Sequence, residues 1–512
     1  MIPTTRIIAL LELGLAVTVQ LGFAWAYNAA DYKDPHYTEG RTTMVHLFEW
    51  KFKDIGLECE RFLGPMGYAG VQVSPISENG IVTGRPWFER YQPISYRIIS
   101  RSGTEDDFKV MVSRCNAVGV RIYVDLVSNH MTTDLEPALG VGGSTAEPRI
   151  LIYSAVAYGP DDFHPMCTIT NYGDVDQVRN CSLNGLHDLD HSKDHVRDKI
   201  VEFVNRVIDH GIAGIRIDAA KHMWPNDLKV IYGRLKNLRE DIFGPDTRPF
   251  IYQEVIDLDR GEGSNKWQYN NLGIVMEFIY GSIIETCFHG WLPLSSLENV
   301  ELLSRDLMLP VDALVMLDNH DSQRSDSSTL TYKNGKIYKM ALAFLLAHPY
   351  GHTCVMSSYA FTNFFQGPPA DSMYNIISPN PVGEDLDEEI EKCDYGWVCE
   401  HRWPEVYGMV AFRNSVHRAP LTNWWSNGEN QIAFSRGNLG FVAFNGQSDL
   451  DLKEDLQTAL PAAEYCDVIS GRKVAGKCTG KTVRVKDDGT AYIEILKDEK
   501  DGVLAIHAQT KL

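Results

Sequence analysis

Residues 214–218 read Gly-Ile-Arg-Ile-Asp, and this segment determines how the rest of the chain is interpreted. Its apolar, β-branched residues predict a buried strand that ends in an acidic residue, Asp218. Two later segments, Phe-Ile-Tyr-Gln-Glu254 and Leu-Asp-Asn-His-Asp321, end in the same way. Strands that end in carboxylates are typical of parallel sheets whose carboxyl ends meet at one site.

Eight segments of the chain, these included, are short, apolar and rich in β-branched residues, and amphipathic segments lie between several of them. Strands that alternate with helices predict βαβ units in an α/β fold, and eight strands suit a (β/α)8 TIM barrel. The predicted strands are Met44–Phe48, Gly70–Ser74, Arg121–Val127, Gly214–Ala219, Phe250–Ile256, Ile274–Phe278, Ala313–Leu317 and His352–Ser357. The predicted helical segments include Phe108–Val118, Asp194–His210 and Leu228–Ile242.

Two stretches depart from this alternation. Residues 129–189 are rich in Gly, Pro, Asp and Tyr, which predicts an irregular insertion after the third strand. Residues 421–512 contain short β-rich segments separated by turns, which predict a C-terminal all-β, Greek-key-like domain. The barrel would then comprise residues 27–128 and 190–420. The strands predicted in the last domain are Gln431–Ser435, Gly440–Asn445, Val483–Val485, Ala491–Ile495 and Val503–Ala508.

The first 26 residues predict a secretory signal peptide. Arg6 precedes a mostly apolar stretch, residues 7–23, and the small-residue pattern Ala-Trp-Ala26 follows. A basic start, an apolar middle and such an ending define signal peptides. The alternative is an uncleaved membrane anchor, which the interruption at Glu12 makes less favourable.

Composition and cysteine content agree with a secreted protein. The net charge is −20 over 512 residues, so nucleic acid and anionic membranes are not expected partners. Ten cysteines fit an oxidising compartment. Closely spaced cysteines, Cys393 with Cys399 and Cys466 with Cys478, predict disulfides. A zinc site is the alternative, although C-x-x-C spacing with nearby histidines is missing.

The three strand-end acids predict glycosidic cleavage. Carboxylates packed together raise the pKa of at least one of them, and a protonated acid beside an ionised one is what this reaction needs. The alternative is a set of structural ion pairs at the barrel mouth. Histidines also follow strand ends, either as metal ligands or as donors to sugar hydroxyls, and aromatic rings that stack on sugars follow the second strand. These residues are His130, His222, His320, Trp87, Phe88 and Tyr91.

Longer motifs identify a family. Four segments resemble, in order, the signature segments of α-amylases: Asp125-Leu-Val-Ser-Asn-His130, Gly214-Ile-Arg-Ile-Asp-Ala-Ala-Lys-His222, Tyr252-Gln-Glu-Val255 and Leu317-Asp-Asn-His-Asp321. Further segments resemble those of animal α-amylases: Val45-His-Leu-Phe-Glu-Trp50, Gly70-Val-Gln-Val-Ser-Pro75, Ala347-His-Pro-Tyr350, Trp397-Val-Cys-Glu-His-Arg-Trp403 and Tyr465-Cys-Asp-Val-Ile-Ser-Gly471. The resemblance extends from about residue 31 to residue 512, and shortened loops favour an arthropod digestive enzyme.

The resemblance implies a secreted, extracellular, monomeric enzyme that cuts internal α-1,4 bonds of starch, glycogen and malto-oligosaccharides with retention of configuration. Asp218 matches the nucleophile, Glu254 the general acid and base, and Asp321 the third carboxylate. An α-glucosidase or transglycosylase of the same superfamily is one alternative. A non-catalytic binding or transport subunit is the other. The matched substrate-binding residues are Trp87, Tyr91, Gln92, His130, Lys221, His222 and His320, and Phe88 stands where a second tryptophan is usual.

Two ion sites follow from the same resemblance. Structural calcium is implied by Asn129, Asp188 and the carbonyl groups of Arg179 and His222, which are hard oxygen ligands that would join the insertion to the barrel. Chloride is implied by Arg216 and Asn319, but Cys354 occupies the position of the expected third, basic ligand. Because a charge-assisted contact is lost, we expect chloride dependence to be weak or absent.

The resemblance also implies disulfides. The matched pairs are Cys59 with Cys115, Cys167 with Cys181, Cys393 with Cys399 and Cys466 with Cys478. Cys287 and Cys354 are left over, either as free thiols or as an additional bridge.

Overall fold

The computed structural model of the protein describes residues 27–325, 328–379 and 393–512. The predicted signal peptide therefore lies outside the described residues. Within those ranges, no helix has both the length and the apolar character that crossing a membrane would require.

Eight parallel strands close into a barrel, which confirms the predicted fold. Strands that are consecutive in the chain are neighbours in the barrel, and β8 closes it against β1, with Val355 opposite Val45. Several strands end earlier than predicted, so Asp218 and Glu254 directly follow β4 and β5. The strands are β1 Thr43–Leu47, β2 Gly70–Val73, β3 Arg121–Leu126, β4 Gly214–Ile217, β5 Phe250–Gln253, β6 Ile274–Met276, β7 Ala313–Val315 and β8 His352–Ser357.

Apolar residues fill the inside of the barrel, and helices cover its outside. Tyr123, Tyr252 and Leu314 are buried together in the interior core. The second helix is capped at its N-terminus by Thr104, whose hydroxyl accepts a hydrogen bond from the Asp107 amide in a capping box. The helices are Phe52–Glu58, Glu105–Ala117, Val175–Asn180, Asp194–Ile208, Pro225–Gly233, Glu240–Phe243, Phe278–Phe288, Val300–Leu303, Ser322–Ser325, Lys336–Ala347 and Pro404–Ser415.

The prediction of one helical segment was wrong. Residues 228–242 do not form one helix, because the first helix ends at Gly233 and the next spans Glu240–Phe243. The guanidinium of Arg248 donates to the carbonyl oxygen of Leu235 at 2.7 Å. A partner from outside the segment therefore satisfies a backbone group between the two helices, and glycine weakens the helix at the break.

The chain after the barrel forms two antiparallel sheets that enclose a second apolar core. Three strands of these two sheets were not predicted. One of them, Leu452–Gln457, reads Leu-Lys-Glu-Asp-Leu-Gln and buries only its two leucines, so its polarity concealed it. In sheet order, the strands are Leu421–Ser426, Gln431–Arg436, Gly440–Asn445 and Val503–His507, and then Leu452–Gln457, Thr490–Ile495, Thr482–Val485 and Ala463–Cys466.

Smaller sheets accompany the barrel and the C-terminal part of the chain. A three-stranded sheet, made by Ser77–Asn79, Pro93–Ser100 and Gly103–Thr104, follows β2, and Lys473–Val474 pairs with Lys477–Cys478. The insertion after β3 is mostly irregular and includes the helix Val175–Asn180.

Eight cysteines form four disulfides, so they do not serve as zinc ligands. The bonded pairs are Cys59–Cys115, Cys167–Cys181, Cys393–Cys399 and Cys466–Cys478, the pairs that the resemblance implies. Cys287 and Cys354 are buried free thiols.

Two buried carboxyl groups, those of Asp318 and Glu400, lie near the carboxyl ends of β7 and β8. Asp318 accepts from the Tyr338 hydroxyl at 3.0 Å and from the Gln323 amide at 2.7 Å. Glu400 accepts from the Ser358 amide at 2.6 Å, and its other oxygen has no hydrogen-bond partner in the described part of the chain. Burial raises the pKa of Asp318 to about 7 and that of Glu400 to about 8. Glu400 therefore keeps its proton at neutral pH.

Glu400 should make the protein less stable as pH rises. The folded pKa of about 8 exceeds the ordinary value of 4.5, so between these values the folded state holds a proton that the unfolded state has released. The free energy of unfolding then falls by about 1.4 kcal/mol per pH unit on account of this group. We expect Glu400→Gln to remove that contribution, as measured by denaturant unfolding from pH 5 to pH 8. The exposed control Glu454→Gln should keep the wild-type slope. An unchanged slope in Glu400→Gln would contradict a protonated Glu400.

Candidate active site

A buried guanidinium, that of Arg216 in β4, contacts three carboxylates at the carboxyl end of the barrel. Its Nη1 atom lies 2.6 Å from Asp125 Oδ1 and 2.9 Å from Asp218 Oδ1. Its Nη2 atom lies 2.6 Å from Glu254 Oε1. The carboxylates come from β3 and from the ends of β4 and β5, so one cation holds three adjacent strands together at this end.

The turn after β4 fixes Glu254 from the other side. Ala219 has a left-handed backbone, with φ of +50°, and its amide donates to Glu254 Oε2 at 2.9 Å. The Lys221 amide donates to the Glu254 carbonyl oxygen at 3.2 Å. Both side-chain oxygens of Glu254 are therefore held in place without any ligand.

The third predicted acid, Asp321, lies in the turn after β7. The Asn319 side chain accepts from the Asp321 amide at 2.9 Å, which fixes this turn. His320 Nε2 lies 3.2 Å from Asp321 Oδ2. The His320 ring stacks against Phe48 at 4.9 Å and against Tyr91 at 5.1 Å. Its orientation is therefore set by aromatic packing.

The cluster carries more negative than positive charge. Asp125, Asp218, Glu254 and Asp321 would hold four charges around Arg216 if all were ionised. Burial, and then repulsion from Glu254, raise the pKa of Asp218 well above its usual value. The same two causes raise the pKa of Asp321 to about 7. The cluster therefore retains a proton near neutral pH, as an acid catalyst requires.

The histidines around the cluster are neutral. Burial lowers the pKa of His130 and of His222 to about 4, and lowers that of His320 well below its usual range. His130 Nε2 donates to the Tyr91 carbonyl oxygen at 3.0 Å, and His222 Nδ1 donates to the Val178 carbonyl oxygen at 2.8 Å. Since a carbonyl oxygen only accepts, each contact fixes which ring nitrogen carries the proton.

The acids and the predicted substrate-binding residues meet in one cleft of about 720 Å³. It contains Asp218, Glu254, Asp321 and, from the predicted set, Trp87, Tyr91, Gln92, His130, Lys221, His222 and His320.

Sequence reasoning missed other residues of the site. Asp125 is buried inside β3. An acidic residue within an apolar strand indicates a buried carboxylate that needs an oppositely charged partner, and this signal was available in the sequence. Tyr172 and Leu183 of the insertion, and Phe364 and Phe365 after β8, also line the cleft. They lie in loops, whose residues follow no periodic pattern that could reveal them.

The expected calcium ligands offer oxygen atoms of a suitable type. Asn129 Oδ1 and Asp188 Oδ1 are buried and have no hydrogen-bond partner in the described ranges. Arg179 lies in the last turn of the helix Val175–Asn180, where carbonyl groups lack partners within the helix. His222 bonds to this helix through Val178, as described above. Amide, carboxylate and carbonyl oxygens are ligands that calcium prefers, so these residues fit the ion.

The expected chloride positions border a second, smaller cavity of about 10 Å³, which is about the least volume that holds one water molecule. Arg216, Asn319 and Cys354 all line it. Burial raises the pKa of Cys354 to about 12, so this thiol is neutral. Asn319 Oδ1 accepts from the amides of Asp321 and Ser322, where it caps the short helix Ser322–Ser325.

Comparisons with known proteins agree with this geometry. Residues 61–254 match the family described as alpha amylase, catalytic domain, and residues 424–509 match alpha amylase, C-terminal all-beta domain.

Similar proteins match over nearly their whole length. An α-amylase of Tenebrio molitor is 52% identical over 482 residues, which cover 94% of this chain and 100% of that protein. An α-amylase-related protein of Drosophila mauritiana is 50% identical over 499 residues, which cover 97% and 99%. The solved structure of α-amylase I from Eisenia fetida has a TM-score of 0.85 and 42% identity, and covers 92% of this chain and 98% of that one. A mutant of the same protein, solved as a complex with maltohexaose, gives the same values.

Proposed function

Because the chain belongs to the α-amylase family of glycoside hydrolases, we propose that it is an endo-acting α-amylase, which hydrolyses internal α-1,4 bonds of starch and glycogen with retention of configuration. One observation carries the proposal: Asp218, Glu254 and Asp321 meet in one open cleft around the buried Arg216. Two closely placed carboxyl groups, one a nucleophile and one an acid, are the machinery of retaining glycosidases.

In the first step, an Asp218 oxygen forms a bond to the anomeric carbon while the glycosidic C–O bond breaks. Glu254 gives its proton to the departing oxygen, and a covalent glycosyl-enzyme results. In the second step, Glu254 takes a proton from water, and the water oxygen displaces Asp218. The sugar thus keeps its configuration through two inversions.

The proton of the cluster must lie on Glu254 when the sugar is bound. Burial and Glu254 raise the pKa of Asp218 in the sugar-free protein. Positive charge develops at the anomeric carbon in the transition state, and this charge favours an ionised Asp218. A proton on Glu254 removes its repulsion of Asp218, so a protonated Glu254 and an ionised Asp218 are compatible with each other.

The surrounding groups suit a neutral glucan. The neutral imidazoles of His130, His222 and His320 can hydrogen-bond to hydroxyl groups, and Trp87 and Tyr91 offer aromatic surface to the apolar faces of sugars. The cleft receives walls from the loops after β2 and β8 and from the insertion, which allows contact with several glucosyl residues. Such a cleft favours endo-action over an α-glucosidase, and the presence of all three carboxylates disfavours a binding subunit. The maltohexaose complex of the Eisenia fetida relative supports this substrate class.

We also propose that the protein is secreted as a monomer into the digestive tract of an arthropod. The four disulfides support an oxidising compartment. The relatives from insects support the source.

Replacement of the proposed acid tests the function. Glu254→Gln keeps the shape of the side chain but removes the transferable proton. We expect kcat on starch to fall by about two to four orders of magnitude, as measured by release of reducing ends. The exposed control Glu240→Gln should retain wild-type activity. Wild-type products should be short oligosaccharides, whereas glucose alone would indicate an α-glucosidase. Normal hydrolysis by Glu254→Gln would contradict the assigned role.

Calcium at the proposed site would hold the insertion against the barrel through Asn129, Asp188 and the carbonyl groups of Arg179 and His222. An ion that binds the folded state alone raises its stability by mass action. We expect calcium to raise the melting temperature of chelator-treated protein, and Asp188→Asn to reduce this increase strongly. Asp176→Asn, an exposed change in the same insertion, is the control. An equal calcium response in Asp188→Asn would contradict the site.

Chloride should activate the enzyme little or not at all. Cys354 provides no positive charge, and Arg216 already contacts the carboxylates of Asp125, Asp218 and Glu254. We expect starch hydrolysis in chloride-free buffer to stay within about twofold of the rate with chloride, because a buried anion without its second basic ligand is poorly stabilised. Strong activation by chloride would contradict this expectation and would show that Arg216 and neutral donors suffice to bind an activating anion.

A further inference from the structure

A large cavity lies at the end of the barrel opposite the active site. Its volume is about 950 Å³, and Thr42, Val311 and His352, at the amino ends of β1, β7 and β8, line it. Further walls come from the segment after the helix Pro404–Ser415 and from Arg436 in the C-terminal sheets. Barrel and C-terminal domain therefore form this cavity together. Among the described residues, it shares no lining residue with the catalytic cleft.

Four arginines line this cavity, which we call the arginine cavity. They are Arg41, Arg413, Arg418 and Arg436. None of the four forms an ion pair with an acid in the part of the chain that the structure describes. The side chains of Arg413 and Arg436 are buried, with 7% and 3% of their surface exposed. Because buried charges normally have a charged partner, these two cations lack the counter-charge that proteins usually provide.

Backbone carbonyl groups hold the two buried guanidinium groups in place. Arg413 donates to the carbonyl oxygens of His348 at 2.6 Å and Gly351 at 2.7 Å, and Arg436 donates to that of Ala419 at 2.8 Å. Carbonyl groups are dipoles without net charge, so they do not neutralise either cation. Burial lowers the pKa of both arginines to about 10, and in Arg436 repulsion by Arg413 adds to this effect. Both therefore remain charged at neutral pH.

The mouth of the arginine cavity carries polar groups without partners. Arg418 and His417 are exposed there, and neither side chain forms a hydrogen bond with the described residues. Burial, and then the charges of three arginines of the cavity, lower the pKa of His417. Tyr37 also lines the cavity, and its buried hydroxyl has no hydrogen-bond partner in the described ranges. A bound anion would accept hydrogen bonds from such groups.

The acids of the arginine cavity do not balance its arginines. Only two acids, Asp34 and Glu39, are among the described residues that line it, and both are exposed. The Asp34 carboxylate already accepts from the His36 amide at 2.9 Å. Four arginines and two acids leave an excess of two positive charges in a protein whose net charge is −20. A phosphate group carries nearly two negative charges at neutral pH, so it would neutralise this excess.

We propose that the arginine cavity binds a phosphate group and that this ligand stabilises the junction between the barrel and the C-terminal domain. Guanidinium groups match the oxygen atoms of phosphate in geometry and charge, and the volume admits a phosphate ester as well as the free ion. A ligand that binds the folded state alone raises its stability by mass action. The inference does not depend on the proposed function, because the cavity lies at the other end of the barrel.

Removal of the exposed arginine tests this. We expect isothermal titration calorimetry at constant ionic strength to show binding of inorganic phosphate to calcium-loaded protein freed of excess calcium. Arg418→Gln should lower the affinity by about tenfold, the effect of losing one charge-assisted contact. The matched control Arg484→Gln removes an exposed arginine that does not line the cavity, and it should bind as wild type does. Both variants should hydrolyse starch at the wild-type rate.

The outcomes decide between a site and a general salt effect. No binding by the wild type, or equal affinity in Arg418→Gln, would overturn the phosphate site. Phosphate should also raise the melting temperature of the wild type more than that of Arg418→Gln, and an equal rise in both would contradict the proposal. Because Arg418 is exposed and makes no contact that its loss would break, the variant should fold normally.

Glucose 6-phosphate, titrated in the same way, distinguishes two sources of the phosphate group. Binding that is tighter than that of inorganic phosphate, and that Arg418→Gln weakens, would identify a phosphorylated sugar as the ligand of the arginine cavity. Equal or weaker binding would identify the free ion. Both results support a phosphate site, whereas a signal from either compound that persists unchanged in Arg418→Gln arises elsewhere on the protein and counts against it.

Discussion

The contact between the buried Arg216 guanidinium and its carboxylates is the interaction on which the catalytic end of the barrel depends. Asp125, Asp218 and Glu254 come from three neighbouring strands, and their charges would repel one another without a central cation. A guanidinium suits this position because its planar fork keeps its charge and reaches several oxygens at once. Barrel closure brings the strands together, and Arg216 allows their acidic ends to remain together. Fold and chemistry are therefore coupled at one side chain.

Much of the fold could be predicted because barrel strands are buried on both faces and therefore read as continuous apolar segments. All eight were located from this property. The failures have local causes. Residues 228–242 look helical, yet Arg248 bonds to a carbonyl group between the two helices that form there. The strand Leu452–Gln457 exposes most of its side chains, so its hydrophobic pattern is too sparse to recognise.

The site was predictable in its residue types and less so in its contacts. The acids at strand ends could be recognised from the sequence, because the topology of the barrel places every strand end at the same mouth. The partner of each acid depends on strand register and on side-chain conformation, which a sequence does not specify. Asp125 was therefore recognised only as part of a motif, although it shares Arg216 with Asp218. Phe364 and Phe365 escaped notice because a loop positions them through hydrogen bonds rather than through periodicity.

The four disulfides have a consequence for how such a protein can evolve. Each closes a loop within one part of the fold, with a sequence separation of at most 56, and none of the four joins the barrel to the C-terminal sheets. Contacts such as that between Arg436 and the Ala347 carbonyl oxygen hold these parts together instead. Recombination between genes could therefore exchange the C-terminal domain without leaving any of these cysteines unpaired. Each domain would keep its own disulfides when it is joined to a different partner domain.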